Sequence, residues 1–172
     1  MKINFNVFRI LSIFLIIVIV IVSILKMSKP KPKKQTICDN MEFNILRIED
    51  EKYIVLIVVL KQNSIDLNST RLINSYIEYE VKLSYKRSKP TTMYLDFSGV
   101  SSAGYSVIKE EASFGNRLQT DYKDALSRVG LLTSNTARLL IKAVFVLFKP
   151  SPTTKVFSDK KQCYNYCTFK EK

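Results

Sequence analysis

Sixteen consecutive residues, Ile10 to Leu25, carry no charge, no Gly and no Pro. Counted from Val7, with Arg9 as the only charge, the stretch is nineteen residues long. As a helix rising about 1.5 Å per residue it reaches roughly 28 Å, close to the hydrocarbon thickness of a bilayer. A helix at a protein surface needs a polar face, and this stretch has none. The pattern predicts a transmembrane helix. A cleaved secretory signal is the rival, but the exit reads Ser23-Ile24-Leu25-Lys26-Met27-Ser28, bulky and then basic, where a cleavage site needs small residues. The expected organisation is therefore an N-terminal membrane anchor over 1–27, a Lys/Pro spacer over 28–37 and one globular domain over 38–172.

The charge is unevenly placed. The chain holds 27 Lys and Arg against 15 Asp and Glu, a net of +12. Seven of the bases lie in residues 1–34, which hold no acid. Lys26, Lys29, Lys31, Lys33 and Lys34 follow the apolar run directly, where each can attract anionic headgroups by about 1 kcal/mol. The basic character thus points to lipid contact or membrane sorting and not to nucleic acid. Topology stays open. The lysines favour keeping the downstream side in the cytosol or nucleoplasm, whereas the sequon Asn68-Ser69-Thr70 makes Asn68 a glycosylation candidate on the opposite side.

Cys38 opens the domain, and Cys163 and Cys167 close it. All three are disulfide candidates. Joining Cys38 to either partner closes a loop of about 125 residues, worth on the order of 4 to 5 kcal/mol in the chain-entropy model. A local Cys163–Cys167 bridge and three reduced thiols are the alternatives. Metal binding is not expected, because the chain has no histidine and C-x3-C is not finger spacing. The missing histidine also removes the commonest general base. No phosphate loop is present; the small-residue run Gly99 to Gly104 reads as a turn between strands. Glu110 and Glu111 would point to opposite faces of a strand, which argues against a paired acid–base role. The expectation is a non-enzymatic protein with no cofactor and no small-molecule substrate. Tyr164 and Tyr166, between two cysteines, are candidates for partner contact.

Along the domain, Phe43 to Ile48 and Tyr53 to Leu60 read as strands, the second central because it is apolar on both faces. Gln62 to Asn74 reads as a loop, with Ser69 capping a short helical turn. Ile77 to Tyr85 alternates apolar and polar and predicts a half-buried strand. Thr92 to Phe97, Tyr105 to Glu111 and Arg138 to Phe148 are further strand expectations. Asn116 to Val129 carries a helical period and Gly130 suits its end. The sum is an α+β domain, strand-dominated and antiparallel with one main helix; an all-β sandwich is the alternative.

Four segments carry a family resemblance: Ser75-Tyr76-Ile77-Glu78-Tyr79-Glu80, Tyr94-Leu95-Asp96-Phe97-Ser98-Gly99-Val100, Phe148-Lys149-Pro150-Ser151-Pro152-Thr153 and Cys163-Tyr164-Asn165-Tyr166-Cys167. Together with one N-terminal anchor and basic residues after it, they resemble the 19 kDa per os infectivity factors of the baculovirus occlusion-derived virion envelope. The resemblance implies a single-pass viral envelope protein in a hetero-oligomeric oral-infectivity complex. It also implies passage through the host inner nuclear membrane, with Lys26, Lys29, Lys31, Lys33 and Lys34 as part of the sorting signal. A scaffold protein of a cellular membrane is the alternative. The family supplies no catalytic residues.

Overall fold

A computed structural model describes residues 15–20, 32–147, 149–151 and 153–169. The chain divides into two units, Met1–Lys31 and Pro32–Lys172. In the first unit residues 15–20 are helical (α1) and exposed. The rest of the expected anchor lies outside the described residues, as do Lys26, Lys29 and Lys31. The expectation of a transmembrane helix is corrected: among the described residues no helix is long and apolar enough to cross a membrane.

The second unit alternates strands and helices. Its strands are β1 (Lys33–Asp39), β2 (Phe43–Glu49), β3 (Ile54–Leu60), β4 (Ser64–Ile65), β5 (Thr91–Phe97), β6 (Ser102–Ala103), β7 (Leu126–Thr133) and β8 (Thr154–Phe157). Its helices are α2 (Leu67–Lys86), α3 (Tyr105–Asp121), α4 (Asn135–Leu147) and α5 (Lys160–Cys167). Six strands form one sheet in the order β1-β2-β3-β5-β7-β8, and β4 pairs with β6. The β1–β2 and β2–β3 pairs are antiparallel; β3–β5, β5–β7 and β7–β8 are parallel. Parallel neighbours need a long crossover, and α2, α3 and α4 supply the three crossovers. The architecture is therefore α/β with a mixed sheet. The expected antiparallel α+β domain, and the all-β sandwich beside it, are both corrected.

The correction has a local cause. Over Ile77 to Tyr85 a period of two and a period of 3.6 share Ile77 and Val81. The longer window decides between them: the buried residues of α2 are Thr70, Ile73, Asn74, Ile77, Glu80, Val81 and Ser84, a helical stripe. Tyr79 and Tyr85, assigned to the apolar face of a strand, stand outside it at 61% and 51% exposure. The helix begins where a loop was expected, because Asp66 and not Ser69 caps it: the Asp66 carboxylate accepts from Ser69 N–H at 2.8 Å. Tyr105 to Glu111 likewise belongs to α3 instead of a strand, and Arg138 onward belongs to α4. The expected helix over Asn116 to Val129 is the end of α3 followed by the start of β7. Gly130 ends no helix; it lies inside β7.

Each sheet face has its own core. On one face Phe43, Ile45, Ile54, Leu56, Val58 and Met93 pack against Ile73, Ile77 and Val81 of α2 and Phe114 and Leu118 of α3. On the other, Val55, Tyr94 and Leu132 pack against Cys163, Tyr166 and Cys167 of α5. Strand β3 contributes to both, as its run of apolar residues led us to expect. A cation also enters the first face. Arg47 of β2, 7% exposed, meets Glu80 of α2 at 3.2 Å as an ion pair out of hydrogen-bond alignment, and also pairs with Glu49.

Candidate functional site

Between the first sheet face and its helices lies a cavity of about 350 Å³. The sheet supplies Val58, Met93, Leu95, Val129 and Leu131 as its floor. Helix α4 contributes Ala137, Leu140, Ile141, Val144 and Phe145, spaced i, i+3, i+4, i+7 and i+8 on one helical face. Helix α3 contributes Val107, Ile108, Glu111, Phe114, Gly115 and Leu118, spaced i, i+1, i+4, i+7, i+8 and i+11. The third residue of that α3 stripe is a carboxylic acid in an otherwise apolar row.

Glu111 is half-buried and lines the cavity; its sequence neighbour Glu110 is not part of that lining and pairs with Arg71 at 3.4 Å. Asn74 of α2, 3% exposed, lines the same wall. Burial among apolar side chains pushes the Glu111 carboxyl up to about 7 from its ordinary 4.5. The Asn74 amide opposes that rise, and the Glu110 charge adds to it. The two side chains face each other without a formed hydrogen bond, since Asn74 Nδ2 has no acceptor in bonding geometry. Gln119 in the last turn of α3 and Lys123 just past its end also line the cavity, and Lys123 is exposed. The arrangement is an apolar chamber with one titrating carboxyl and one buried amide. It can enclose an apolar body and fix one polar group. No group of three or more Cys, Asp or Glu able to hold a metal occurs among the described residues.

Sequence reasoning missed this wall. A helical reading of 105–121 shows Glu111 interrupting an apolar stripe, and a helical reading of 67–86 places Asn74 beside Ile73 and Ile77. Both signals vanish when the segments are read as strand and loop.

The residues singled out from sequence lie elsewhere. Lys33 and Lys34 are exposed on β1, so the expected spacer runs into a strand. Asn68 is exposed in the first turn of α2. The three cysteines stand as thiols, with Cys38 half-buried on β1 and Cys163 and Cys167 fully buried on α5. A hydrogen bond with Cys167, and then burial, raises the pKa of Cys163. The Cys167 thiol donates to the Met93 carbonyl at 3.2 Å. Tyr166 is 4% exposed and donates to the Thr153 carbonyl at 2.6 Å; Tyr164 is half-buried, edge-on to Tyr94.

No family model matches the chain, and no curated protein matches it. Among solved structures, the crystal structure of an anti-sigma factor antagonist from Mycobacterium paratuberculosis is similar. The two are 12% identical, with a TM-score of 0.43, over 77% of this chain and 99% of that one. Neither comparison by sequence supports the resemblance to per os infectivity factors, and it is withdrawn. The envelope function, the oral-infectivity complex, the virion and inner-nuclear-membrane location and the lipid partner are withdrawn with it. The cellular-membrane alternative is withdrawn too: among the described residues no helix is long and apolar enough to cross a membrane.

Proposed function

We propose that this protein binds a small, mostly apolar molecule in the cavity between α3, α4 and the sheet, and that it acts by binding without turnover. The cavity itself carries the reading. Its volume falls within the range of ligand pockets, and it has the usual composition of an apolar lining with few polar groups. Filling about 350 Å³ with apolar atoms is worth on the order of 8 kcal/mol before the entropy of association is subtracted. That is enough to support binding in water. The proposal departs from the expectation of no small-molecule partner, which came from motifs and could not register a cavity built by three separate elements.

Fluorescence titration of the full chain with N-phenyl-1-naphthylamine, which is uncharged at neutral pH, tests this. One saturable site is expected. Val144→Phe and Ala137→Phe, which project into the cavity from α4, should each abolish it while the far-ultraviolet circular dichroism stays unchanged. Non-saturable binding, or saturable binding that survives both substitutions, would refute the reading.

A further inference from the structure

We infer that the molecule taken by this cavity carries a protonated amine and that Glu111 is its counter-ion. The inference rests on the ligand-binding reading above and adds the headgroup.

Four other glutamates that are not fully exposed each have a cation of the protein beside them. Glu80 on α2 meets Arg47 at 3.2 Å. Glu49 has Arg47, Lys89 and Arg87 around it. Glu110 has Arg71, and Glu78 has Arg117 at 3.7 Å. Glu111 has no cation in ion-pair contact among the described residues, although it lines a largely apolar cavity. A carboxylate in low dielectric is strongly disfavoured until a cation joins it. Four glutamates have protein cations and the buried Asp96 takes hydrogen bonds from the Ser98 N–H and hydroxyl; the cation for Glu111 is left to the ligand.

The surrounding groups agree. From α2, Asn74 presents an amide whose Nδ2 has no acceptor. Once ionised, Glu111 is acceptor-only and can take both that N–H and an ammonium N–H. One ligand then satisfies two buried polar groups. On α3 itself the neighbouring charge is Glu110, already engaged by Arg71. The α4 residues and the strand residues facing the cavity are uncharged. Lys123 lines the chamber but makes no ion pair with Glu111, and its exposure puts it in water. A carboxylate ligand would bring a like charge to Glu111, and an alcohol would leave the acid without a counter-charge. Asn74 acts here as a positioning residue.

The pH dependence follows from the same groups. An amine ligand is protonated throughout the neutral range, so its binding requires Glu111 to lose its proton. Affinity should rise as the carboxyl ionises and fall as it is protonated. An uncharged ligand of equal chain length should show no such slope.

The test is calorimetric titration of the full chain with octylamine, octan-1-ol and octanoate at about pH 8 and about pH 5.5. At the higher pH the amine should bind at least about tenfold more tightly than the alcohol, as expected for a charge-assisted hydrogen bond, with octanoate weakest. At the lower pH the amine's advantage should disappear while alcohol binding is unchanged. Glu111→Gln should remove the amine preference and keep alcohol binding, which also reports that the cavity is folded. Asn74→Leu should shrink the preference without removing it. An amine that binds no better than the alcohol, or a preference that survives Glu111→Gln, overturns the headgroup inference while leaving the cavity reading intact. If none of the three ligands binds, the cavity reading itself fails.

Discussion

Gly130 offers a direct test of how the two faces of the sheet are packed. A Cβ built there would lie 2.6 Å from the Cys167 Sγ and 2.9 Å from the Cys163 Sγ. Comfortable separations between non-bonded heavy atoms are about 3.5 to 4.0 Å, so the overlap is about 1 Å at one sulfur and more than half that at the other. Neither sulfur can yield alone. Both side chains are fully buried, and α5 is fixed by Thr92 donating to the Cys167 carbonyl at 2.8 Å and by Arg128 donating to the Tyr166 carbonyl at 2.9 Å. The whole helix must lift. Overpacking of this kind destabilises by about 1 to 3 kcal/mol, and two contacts on a fixed helix place Gly130→Ala at the upper end. Urea unfolding should show a lower midpoint with an unchanged slope. In a Cys163→Ala, Cys167→Ala background the sulfurs are gone. The same substitution should there become neutral, or stabilising by about 0.5 kcal/mol, since glycine within a strand is otherwise unfavourable. An equal penalty in both backgrounds would refute the argument, because coupling through those sulfurs is what it asserts.

Two further outcomes follow from charges turned inward. Glu111 holds its proton more tightly folded, at about 7, than unfolded, near 4.5. Its contribution is full below the unfolded value and is lost as pH rises through the folded one, by an amount on the order of 3 kcal/mol. Glu111→Gln should therefore match the parent near pH 4 and exceed it in stability above pH 7, as read from the difference between the two denaturation curves. Parallel curves across that range would contradict the assignment. Arg47→Met leaves the Glu80 carboxylate, with its side chain 5% exposed, buried without a cation, and should destabilise by about 3 to 5 kcal/mol. Adding Glu80→Leu should recover most of that loss in thermal unfolding; no recovery would mean that Arg47 acts through packing alone.

Three of the six strands of the main sheet were legible in the sequence. Strands β2, β3 and β5 lie where runs of β-branched and aromatic residues put them, and the two-faced burial of β3 follows from its unbroken apolar character. The helices were not legible from short windows. Nine residues from Ile77 fit two periods, and tyrosines at 79 and 85 count as apolar whether they face the core or, as here, solvent. Runs such as Arg138 to Phe148 are apolar nearly all round because α4 has one face on the cavity and leaves Leu139 and Val146 exposed on the other. Gly130 reads as a stop signal by its chemistry, and only the helix packed over it shows why a glycine stands inside a strand. The cavity was hidden for a related reason. Its polar groups come from α2 and α3, 37 positions apart, and neither belongs to a motif.

The account stands on an apolar chamber on the α3/α4 side of the sheet. Methyl-detected NMR of the full chain, labelled at Ile, Leu and Val and equilibrated with xenon, which enters dry apolar cavities, measures this most directly. Saturable shifts are predicted for Ile108, Leu131, Leu140, Ile141 and Val144, with Val55 and Leu132 on the opposite face unmoved. Unperturbed cavity methyls, or equal shifts on both faces, would contradict it.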